Sequence, residues 1–206
     1  MTIIIDYGLG NLGSILNILH IIGERAAISK DPEEILKADR LILPGVGSFD
    51  EGMNNLKDNN LIQTIKMAAN KGIPILGICL GMQLLGEGSE EGNEEGLGLI
   101  PFYSKKFSFE NSDLKIPHMG WNIISIENDN ELTNGMKDSE QRFYFVHSYH
   151  AVCKNKENVM MTCDYGDVFA AGVVKNNVYG VQFHPEKSHS FGINLFKNFV
   201  GIKNVQ

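Results

Sequence analysis

Four short apolar segments, each followed by a turn and then by a helical pattern, most constrain the fold of this chain. The segments are TIIID (2–6), AAIS (26–29), RLILPG (40–45) and PILGI (74–78). Strands buried on both faces have continuous apolar runs, and strands that alternate with helices form parallel sheets covered on both sides. The first half of the chain therefore predicts an α/β fold with a mostly parallel sheet.

The helical patterns fall between these strands. Apolar residues recur at helical spacing within 14–22, and Gly23 follows as a stop signal. Asp31 and Pro32 are typical of an N-cap and a first helical residue. Further helices are predicted at 49–56, 61–70 and 80–85.

The second half of the chain has a different pattern, in which strand-like runs are joined by polar turns. The runs lie at 121–127, 143–146, 159–163, 168–174 and 178–183. They predict an antiparallel extension of the sheet, and a closing helix is predicted at about 190–201. Since there is no internal repeat or linker, we expect one domain over 1–206. The acidic stretch 88–96 is interpreted as a solvated loop rather than a cation site.

Composition excludes several classes of protein. The net charge of −7 argues against a nucleic-acid surface, and no apolar run reaches membrane-spanning length. The N-terminus has no signal-peptide pattern, and TIIID (2–6) already resembles a strand. Three cysteines, an odd number, fit a reducing compartment better than a disulfide framework. We therefore expect a cytoplasmic protein that binds neither nucleic acid nor membrane.

A glycine pattern near the N-terminus raises a different function. Gly8, Gly10 and Gly13 form G-x-G-x-x-G between a strand and a helix, which is the dinucleotide-binding fingerprint, and Asp31 is an available acid. However, the second strand is weak and Asp31 resembles a helix cap. The alternative is that the small residues let the first helix pack closely on the sheet, with Asn11 presenting its amide at the sheet edge.

The segment GICLGMQ (77–83) carries the main chemical signal. A buried strand runs into Gly77, and Cys79 lies at the turn before a helix, with Gly81 following. This layout is that of a nucleophile elbow, where small flanking residues permit a sharp strand-to-helix turn. A helix N-terminus favours a thiolate, and the backbone N–H of Leu80 points to where an oxyanion would form.

A candidate base lies in the segment YGVQFHPEKS (179–188). His184 ends a strand, and Pro185 is expected to keep the chain extended, so that His184 and Glu186 share a face. Glu186 could then fix the tautomer of His184. Cys79 and His184 both follow strands, and such strand ends meet at one sheet edge. The glycines of PGVGSF (44–49) offer backbone N–H groups for a second part of an oxyanion hole.

Each signal alone has a structural explanation. A cysteine after an apolar strand is more often a core residue, and a lone His-Pro-Glu is usually a turn. Their combination at one sheet edge favours catalysis. Cys153 and Cys163 lack small flanking residues and are interpreted as structural. No Cys or His pair has structural-zinc spacing, so no metal is expected.

Together these motifs resemble the triad (class I) glutamine amidotransferases and, among them, the glutaminase subunits of imidazole glycerol phosphate synthase. The resemblance covers nearly the whole chain. The matching segments are IIDYGLGNLGS, LPGVGSF, GICLGMQLL, the SEEG loop, GLGLIP, PHMGWN, FVHSYH and GVQFHPEKS. It implies a flavodoxin-like, mostly parallel sheet with helices on both faces, and no cofactor.

The resemblance also implies residue roles. Cys79 would attack the side-chain amide of L-glutamine, His184 would transfer protons, and Glu186 would orient His184. Oxyanion and substrate-binding roles would fall to Val46, Gly47, Leu80, Gln83, His147, Ser148 and Tyr149.

A partner follows from the chemistry of the product. Ammonia in water at pH 7 is mostly ammonium, so an amidotransferase must pass it through a dry path to an acceptor site. In the family that site is on a (β/α)8-barrel cyclase subunit, which forms a heterodimer with the glutaminase. Asn11, Trp121 and Lys187 match positions near that interface, although Trp121 could instead be a core residue. The resemblance also implies a low activity without the partner, and PGVGSF (44–49) is our candidate for the segment that switches.

Three alternatives remain at this point. GSFDEGMNNL (47–56) also resembles subunits of a related complex that makes an amidino sugar for surface polysaccharide, with the same glutaminase chemistry. A stand-alone γ-glutamyl hydrolase would use the same elbow. A dinucleotide-binding module would use Gly8–Gly13 and would not be an enzyme of this class.

Overall fold

The computed structural model describes residues 1–109 and 114–203. Six α-helices lie in the described part of the chain: α1 (Leu12–Ile21), α2 (Pro32–Leu36), α3 (Phe49–Asp58), α4 (Leu61–Asn70), α5 (Leu80–Leu84) and α6 (His189–Gly201). The same part contains the strands β1 (Thr2–Ile5), β2 (Ala26–Ser29), β3 (Arg40–Leu43), β4 (Ile75–Ile78), β5 (Gly88–Ser89), β6 (Phe102–Lys106), β7 (His118–Ile126), β8 (Gln141–His147), β9 (Tyr149–Cys153), β10 (Val159–Tyr165), β11 (Asp167–Lys175) and β12 (Val178–Val181). Short 3-10 turns occur at Lys156–Asn158 and Pro185–Lys187.

The sheet confirms the predicted fold class. Its strand order is β2-β1-β3-β4-β12-β11-β10-β7-β8, and the first five strands are parallel. From β11 onward the pairings are antiparallel, as the second half of the sequence predicts. Strand β12 differs from the prediction, because it pairs in parallel with β4 as well as antiparallel with β11. It therefore joins the two halves of the sheet.

Helices cover both faces of the parallel strands because successive strand residues point in opposite directions. Ile3 and Ile5 of β1 belong to one core, which they share with the buried faces of α2, α3, α4 and α5. Ile4 belongs to the other core, together with buried residues of α1 and α6. Because β3, β4 and β12 run parallel, the chain turns that follow these strands meet at one edge of the sheet.

Three strands were not predicted, β5, β6 and β9, and all three lie outside the main path of the sheet. Strand β6 pairs antiparallel with β9, and β9 also contacts β11. The alternation of buried and exposed residues in β6 is not visible in the sequence, because the polar residue Ser104 is fully buried. The acidic stretch 88–96 is also less simple than a solvated loop, since Gly88 and Ser89 form β5, which pairs with β6. None of the described helices is both long and apolar enough to span a bilayer.

Candidate active site

Cys79 lies on a strained turn between β4 and α5. Its backbone has φ +54° and ψ −111°, which is rare for a residue with a side chain. Such strain persists only where the surrounding structure enforces it, and it is concentrated at functional sites. The side chain is 7% exposed. The nucleophile-elbow geometry predicted for GICLGMQ is present.

The glycines beside Cys79 allow α5 to pack directly against the sheet. A Cβ on Gly81 would lie 1.8 Å from the carbonyl oxygen of Leu43, at the end of β3. A Cβ on Gly77 would lie 2.7 Å from the carbonyl oxygen of Gly81. Because both close contacts are with backbone atoms, neither neighbour can move aside cheaply. The two glycines therefore let α5 lie directly over the end of β3, and Cys79 stands at the start of this helix.

His184 and Glu186 form a buried pair just after β12. The Nδ1 atom of His184 lies 2.7 Å from Oε1 of Glu186, and the two side chains are 1% and 2% exposed. The predicted pairing is present, but the predicted reason for it was wrong. Pro185 does not keep the chain extended; it opens the 3-10 turn Pro185–Lys187, which folds Glu186 back toward the ring.

The electrostatic environment of His184 suits proton transfer. Burial lowers the pKa of the ring, but the neighbouring Cys79 and the carboxylate of Glu186 raise it by more, so the pKa lies above its ordinary value. Glu186 engages Nδ1, whereas the buried Nε2 atom has no hydrogen-bond partner among the described residues. Nε2 is therefore the nitrogen available for exchange of a proton with Cys79 or a ligand.

Ser188 holds the His184 turn against β8 and was not predicted. Its hydroxyl donates to the carbonyl oxygen of His184 at 2.6 Å and accepts from the backbone N–H of Tyr144 at 3.1 Å. The backbone N–H of His184 in turn donates to the carbonyl oxygen of Tyr144 at 2.9 Å. The motif HPEKS contains Ser188, but only the fold shows that its hydroxyl bridges two segments.

A cavity of about 300 Å³ opens beside Cys79 and His184. This volume is at the small end of the range for ligand sites, about 300–1,000 Å³. The structure brings together at this cavity all the residues that the resemblance implied for oxyanion and substrate binding. They are Val46, Gly47, Leu80, Gln83, His147, Ser148 and Tyr149. Gly47 has φ +114°, a conformation that favours glycine.

Glu91 also lines this cavity and was missed by the sequence analysis, which treated its segment as a solvated loop. Its Oε2 atom accepts a hydrogen bond from the backbone N–H of Phe49 at 2.9 Å. This bond fixes the carboxylate at the first residue of α3. The one sequence feature that could have indicated a role for Glu91 is its position shortly after the helix that follows Cys79. Nothing in the sequence distinguishes Glu91 from its acidic neighbours.

A chain of hydrogen bonds supports the wall of the cavity behind His147. Nδ1 of His147 lies 2.8 Å from the carbonyl oxygen of Tyr149, so this nitrogen carries the hydrogen. Nε2 of His147 must then accept from Nδ1 of His118, at 3.0 Å. Burial lowers the pKa of His118 to about 4 and that of His147 to about 3. Both rings are therefore neutral near pH 7.

The side-chain amide of Gln83, predicted to contact substrate, forms two hydrogen bonds within the protein. Its Nε2 atom donates to the carbonyl oxygen of Tyr149 at 3.3 Å and to Oε1 of Gln182 at 3.0 Å. Both hydrogens are thus engaged, and the carbonyl oxygen Oε1 is the part of Gln83 available to a ligand. Gln182, which the sequence analysis did not single out, is fully buried.

The other two cysteines differ from Cys79. Burial raises the pKa of Cys153 to about 11 and that of Cys163 to about 12, so both stay protonated near pH 7. Neither cysteine lies at a strand-to-helix turn, and all three cysteines are free. No group of three or more His, Cys, Asp or Glu side chains among the described residues is placed to hold a metal ion.

Only one glycine of the N-terminal pattern permits a close approach, so the predicted packing role holds for Gly10 and not for Gly13. A Cβ on Gly10 would lie 3.0 Å from Cβ of Pro44 and 3.3 Å from the backbone nitrogen of Gly45. Gly13 has no such neighbour within 4 Å, so the close packing comes from Gly10 alone. Asp31 accepts from the backbone N–H of Glu33 at 2.7 Å and caps α2, as expected.

The positions matched to the partner interface lie at the surface near the catalytic turn. Trp121 is 46% exposed, so the alternative of a core role is wrong. Its ring stacks on His189 at 5.4 Å, and Lys187 lies over the ring of Tyr144 at 5.9 Å. Asn11 is the partly exposed N-cap of α1.

Comparison with known proteins agrees with this geometry. The model of the family "Glutamine amidotransferase class-I" matches residues 3–202. The chain therefore belongs to the class I glutamine amidotransferase family, a family of enzymes, and the resemblance seen in its motifs is confirmed.

The relatives are more specific. The chain is 52% identical to "Imidazole glycerol phosphate synthase subunit HisH 2" of Methanococcus maripaludis, over 97% of this chain and 98% of the relative. It is 47% identical to the protein of the same name from Pseudomonas aeruginosa, with the same two shares. A solved structure, "Structure of PurLQS from Thermotoga maritima", is 23% identical with a TM-score of 0.75, and 97% of each chain is covered. That likeness supports the fold.

Proposed function

We propose that this chain is the glutaminase subunit of an imidazole glycerol phosphate synthase. In this proposal it hydrolyses L-glutamine to glutamate and ammonia, and a separate cyclase subunit uses the ammonia in histidine biosynthesis. The observation that carries the proposal is the strained Cys79 turn beside the buried His184–Glu186 pair, at a cavity with room for one amino acid. The relatives named as HisH subunits support the pathway.

In the first half of the reaction, the thiolate of Cys79 attacks the side-chain carbonyl carbon of glutamine. The negative charge moves to the carbonyl oxygen, where the N–H of Leu80 and the Val46–Gly47 backbone would stabilise it. The tetrahedral intermediate then collapses as its C–N bond breaks. His184, protonated and held by Glu186, gives its Nε2 proton to the departing nitrogen, so that ammonia leaves and a thioester remains.

In the second half, a water molecule attacks the thioester carbonyl and gives a proton to Nε2 of His184. The C–S bond breaks, glutamate is released, and Cys79 leaves as the thiolate. His184 ends in the protonated state in which it began. The raised pKa of His184 supports this cycle, because the ring is charged when the departing amide nitrogen needs a proton and regains its proton from water.

The cavity supports recognition of a free amino acid. Glu91 places a carboxylate on the lining, where it would pair with the α-ammonium group of glutamine. Gln83 offers its Oε1 atom as a further acceptor. The backbone at Ser148 and Tyr149 would contact the other end of the substrate. The relatives named as subunits of a synthase favour this proposal over the stand-alone hydrolase.

We also propose that the chain acts as one domain over 1–206, since one sheet runs through both halves. The partner would be a (β/α)8-barrel cyclase that forms a heterodimer through the surface around Asn11, Trp121 and Lys187. Three unbridged cysteines fit a reducing compartment such as the cytoplasm. The relatives' names favour the histidine pathway over the amidino-sugar complex.

The test is release of glutamate from L-glutamine by the chain in complex with its cyclase. Cys79→Ala should abolish glutamate formation. Cys163→Ala is the matched control, because Cys163 is a buried cysteine outside the cavity, and this variant should keep at least half of the activity. Glutamate formation by Cys79→Ala at the wild-type rate would disprove the proposed chemistry.

A further inference from the structure

Gln182 lies directly after β12, between the substrate-binding wall and the nucleophile. Its backbone N–H donates to the carbonyl oxygen of Ala171 at 2.9 Å, which fixes it to β11. Its side chain is 0% exposed, and its Nε2 atom lies 3.8 Å from Sγ of Cys79. A fully buried amide is costly unless its polar atoms have partners, so the two contacts of this side chain define its role.

The orientation of the Gln182 amide follows from a backbone carbonyl. The oxygen of Tyr149 can only accept, so the Gln83 atom that faces it must be the donor Nε2. The second hydrogen on this Nε2 then points to Gln182, which must present its acceptor Oε1 there, at 3.0 Å. The Nε2 atom of Gln182 is consequently left facing the sulfur of Cys79. A flip of either amide would place two donors or two acceptors together.

Besides its neighbour His184, Cys79 has two polar contacts among the described residues, and these favour different protonation states. The carbonyl oxygen of Val146, 4.0 Å from Sγ, accepts from a thiol but is repelled by a thiolate. The N–H of Gln182 donates to sulfur and therefore favours the thiolate. Cys79 is nearly buried, so little water is available to stabilise the charge.

We infer that Gln182 is a catalytic residue that stabilises and aims the Cys79 thiolate, with Gln83 as the positioning residue that orients it. This inference rests on the thioester chemistry proposed above. The side-chain amides of Gln83 and Gln182 connect the cavity wall at Tyr149 to the sulfur of Cys79. The substrate-binding turn and the sulfur are thus held in one hydrogen-bonded unit. Gln83 then contributes to catalysis through Gln182 as well as through contact with substrate.

The test measures the reactivity of Cys79 in the full chain without relying on glutamine. Wild type, Gln182→Met and Gln182→Glu are treated with iodoacetamide, and alkylation of Cys79 is followed by peptide mass spectrometry. Methionine keeps the size of the side chain but removes the donor, so alkylation should slow about tenfold to 100-fold, as for loss of a hydrogen bond to a charged group. Glutamate keeps an acceptor toward Gln83 but places an oxygen against sulfur, and should slow alkylation further.

Three further arms separate catalysis from structure. Gln83→Met should slow alkylation by less than Gln182→Met, because it frees the Gln182 amide to flip without removing it. Gln141→Met is the matched control, since Gln141 is buried and its Nε2 donates only to Ser139 among the described residues. In this variant the rate of Cys79 alkylation should stay within twofold of wild type. In the complex with cyclase, Gln182→Met should lower kcat for glutamine with less than a threefold change in KM.

Alkylation of Cys79 in Gln182→Met and Gln182→Glu within twofold of wild type would overturn the inference. An equal loss in Gln141→Met, or a change in KM alone, would also overturn it, because either result indicates a structural or binding role. If the melting temperature shows that Gln182→Met does not fold, the rate of Cys79 alkylation in the isosteric Gln182→Glu variant tests the inference by the same twofold criterion. Since alkylation needs no substrate, a wild-type complex with cyclase that fails to hydrolyse glutamine would refute the proposed function but would still leave this measurement valid.

Discussion

At the scale of single residues, the site depends on side chains that are buried and polar at once. His184 and Glu186 are almost fully buried, yet their pairing keeps the ring protonated more readily than a free histidine. His118 and His147 show the opposite behaviour, since burial without an acidic partner lowers the pKa of both rings. The same residue type is thus set to two different charge states by its neighbours.

The buried His118–His147 pair predicts a loss of stability in acid. Both folded-state pKa values, about 4 and about 3, lie below the ordinary value near 6.5, so the unfolded chain binds more protons between these limits. The free energy of unfolding should therefore be unaffected by these rings above pH 6.5. It should fall by up to about 1.4 kcal/mol per histidine for each pH unit below that value.

Thermal unfolding measured from pH 7.5 to pH 5 tests this expectation. His118→Gln should be less stable at pH 7.5, because it loses ring stacking with Phe145 and Tyr165, but its stability should depend less steeply on pH. His20→Gln is the control, since His20 is exposed on α1, and its slope should match that of wild type. Equal slopes for all three proteins would contradict the assignment.

At the scale of elements, the site forms because β3, β4 and β12 end side by side. Each strand end is followed by a different functional segment: the Pro44–Gly47 turn, the Cys79 elbow and the His184 turn. Gly77 and Gly81 permit the short helix α5 to lie directly over these strands. The position of Cys79, the proposed nucleophile, is therefore set by the backbone packing around it.

Two glycines in helices should respond to alanine in opposite ways. A Cβ on Gly81 would lie 1.8 Å from the carbonyl oxygen of Leu43, so Gly81→Ala should destabilise the chain by at least about 3 kcal/mol. Gly13, in α1, has no atom within 4 Å of its Cβ position, so Gly13→Ala should stabilise by about 0.5–1 kcal/mol. Urea unfolding of both variants measures the difference. A Gly81→Ala variant as stable as wild type would refute the packing argument.

Sequence reasoning could predict the parallel core and the sharp turn at Cys79 because both have local signatures. Continuous apolar runs mark β1, β3 and β4, and small residues around Cys79 mark the elbow. It could not find Gln182, Ser188 or Glu91, because their roles depend on contacts with residues that lie more than 40 positions away. Strands β6 and β9 were missed because they alternate polar and apolar residues only weakly and pair far along the chain.

At the scale of the whole molecule, the proposed catalytic centre is mostly buried and lies beside an exposed apolar surface. Trp121 and Ile123 project from β7 with exposures of 46% and 43%, and Met119 of the same strand is 62% exposed. Exposed apolar side chains in a row are characteristic of interaction sites. Lys187 follows Glu186 directly, so a partner at this surface would contact the turn that holds His184, the proposed base.

The proposed interface predicts that Trp121→Ala weakens binding of the cyclase. Removal of a large aromatic anchor should raise Kd at least tenfold, since aromatic residues are frequent hot spots. The melting temperature of the isolated chain should change little, because the ring is half exposed. Ile21→Ala is the control, since Ile21 is 69% exposed at the opposite end of α1 from Asn11. Titration calorimetry that shows equal Kd values for both variants would exclude this surface.

The central claim is that Cys79 supplies ammonia to a reaction that another subunit completes. The most direct measurement is imidazole glycerol phosphate synthesis by the complex of Cys79→Ala with its cyclase, supplied with either glutamine or ammonium salt. We predict that synthesis from glutamine is lost, while synthesis from ammonia stays within about twofold of the wild-type complex. Loss of both activities would indicate that Cys79 is structural, and synthesis from glutamine at the wild-type rate would contradict the account.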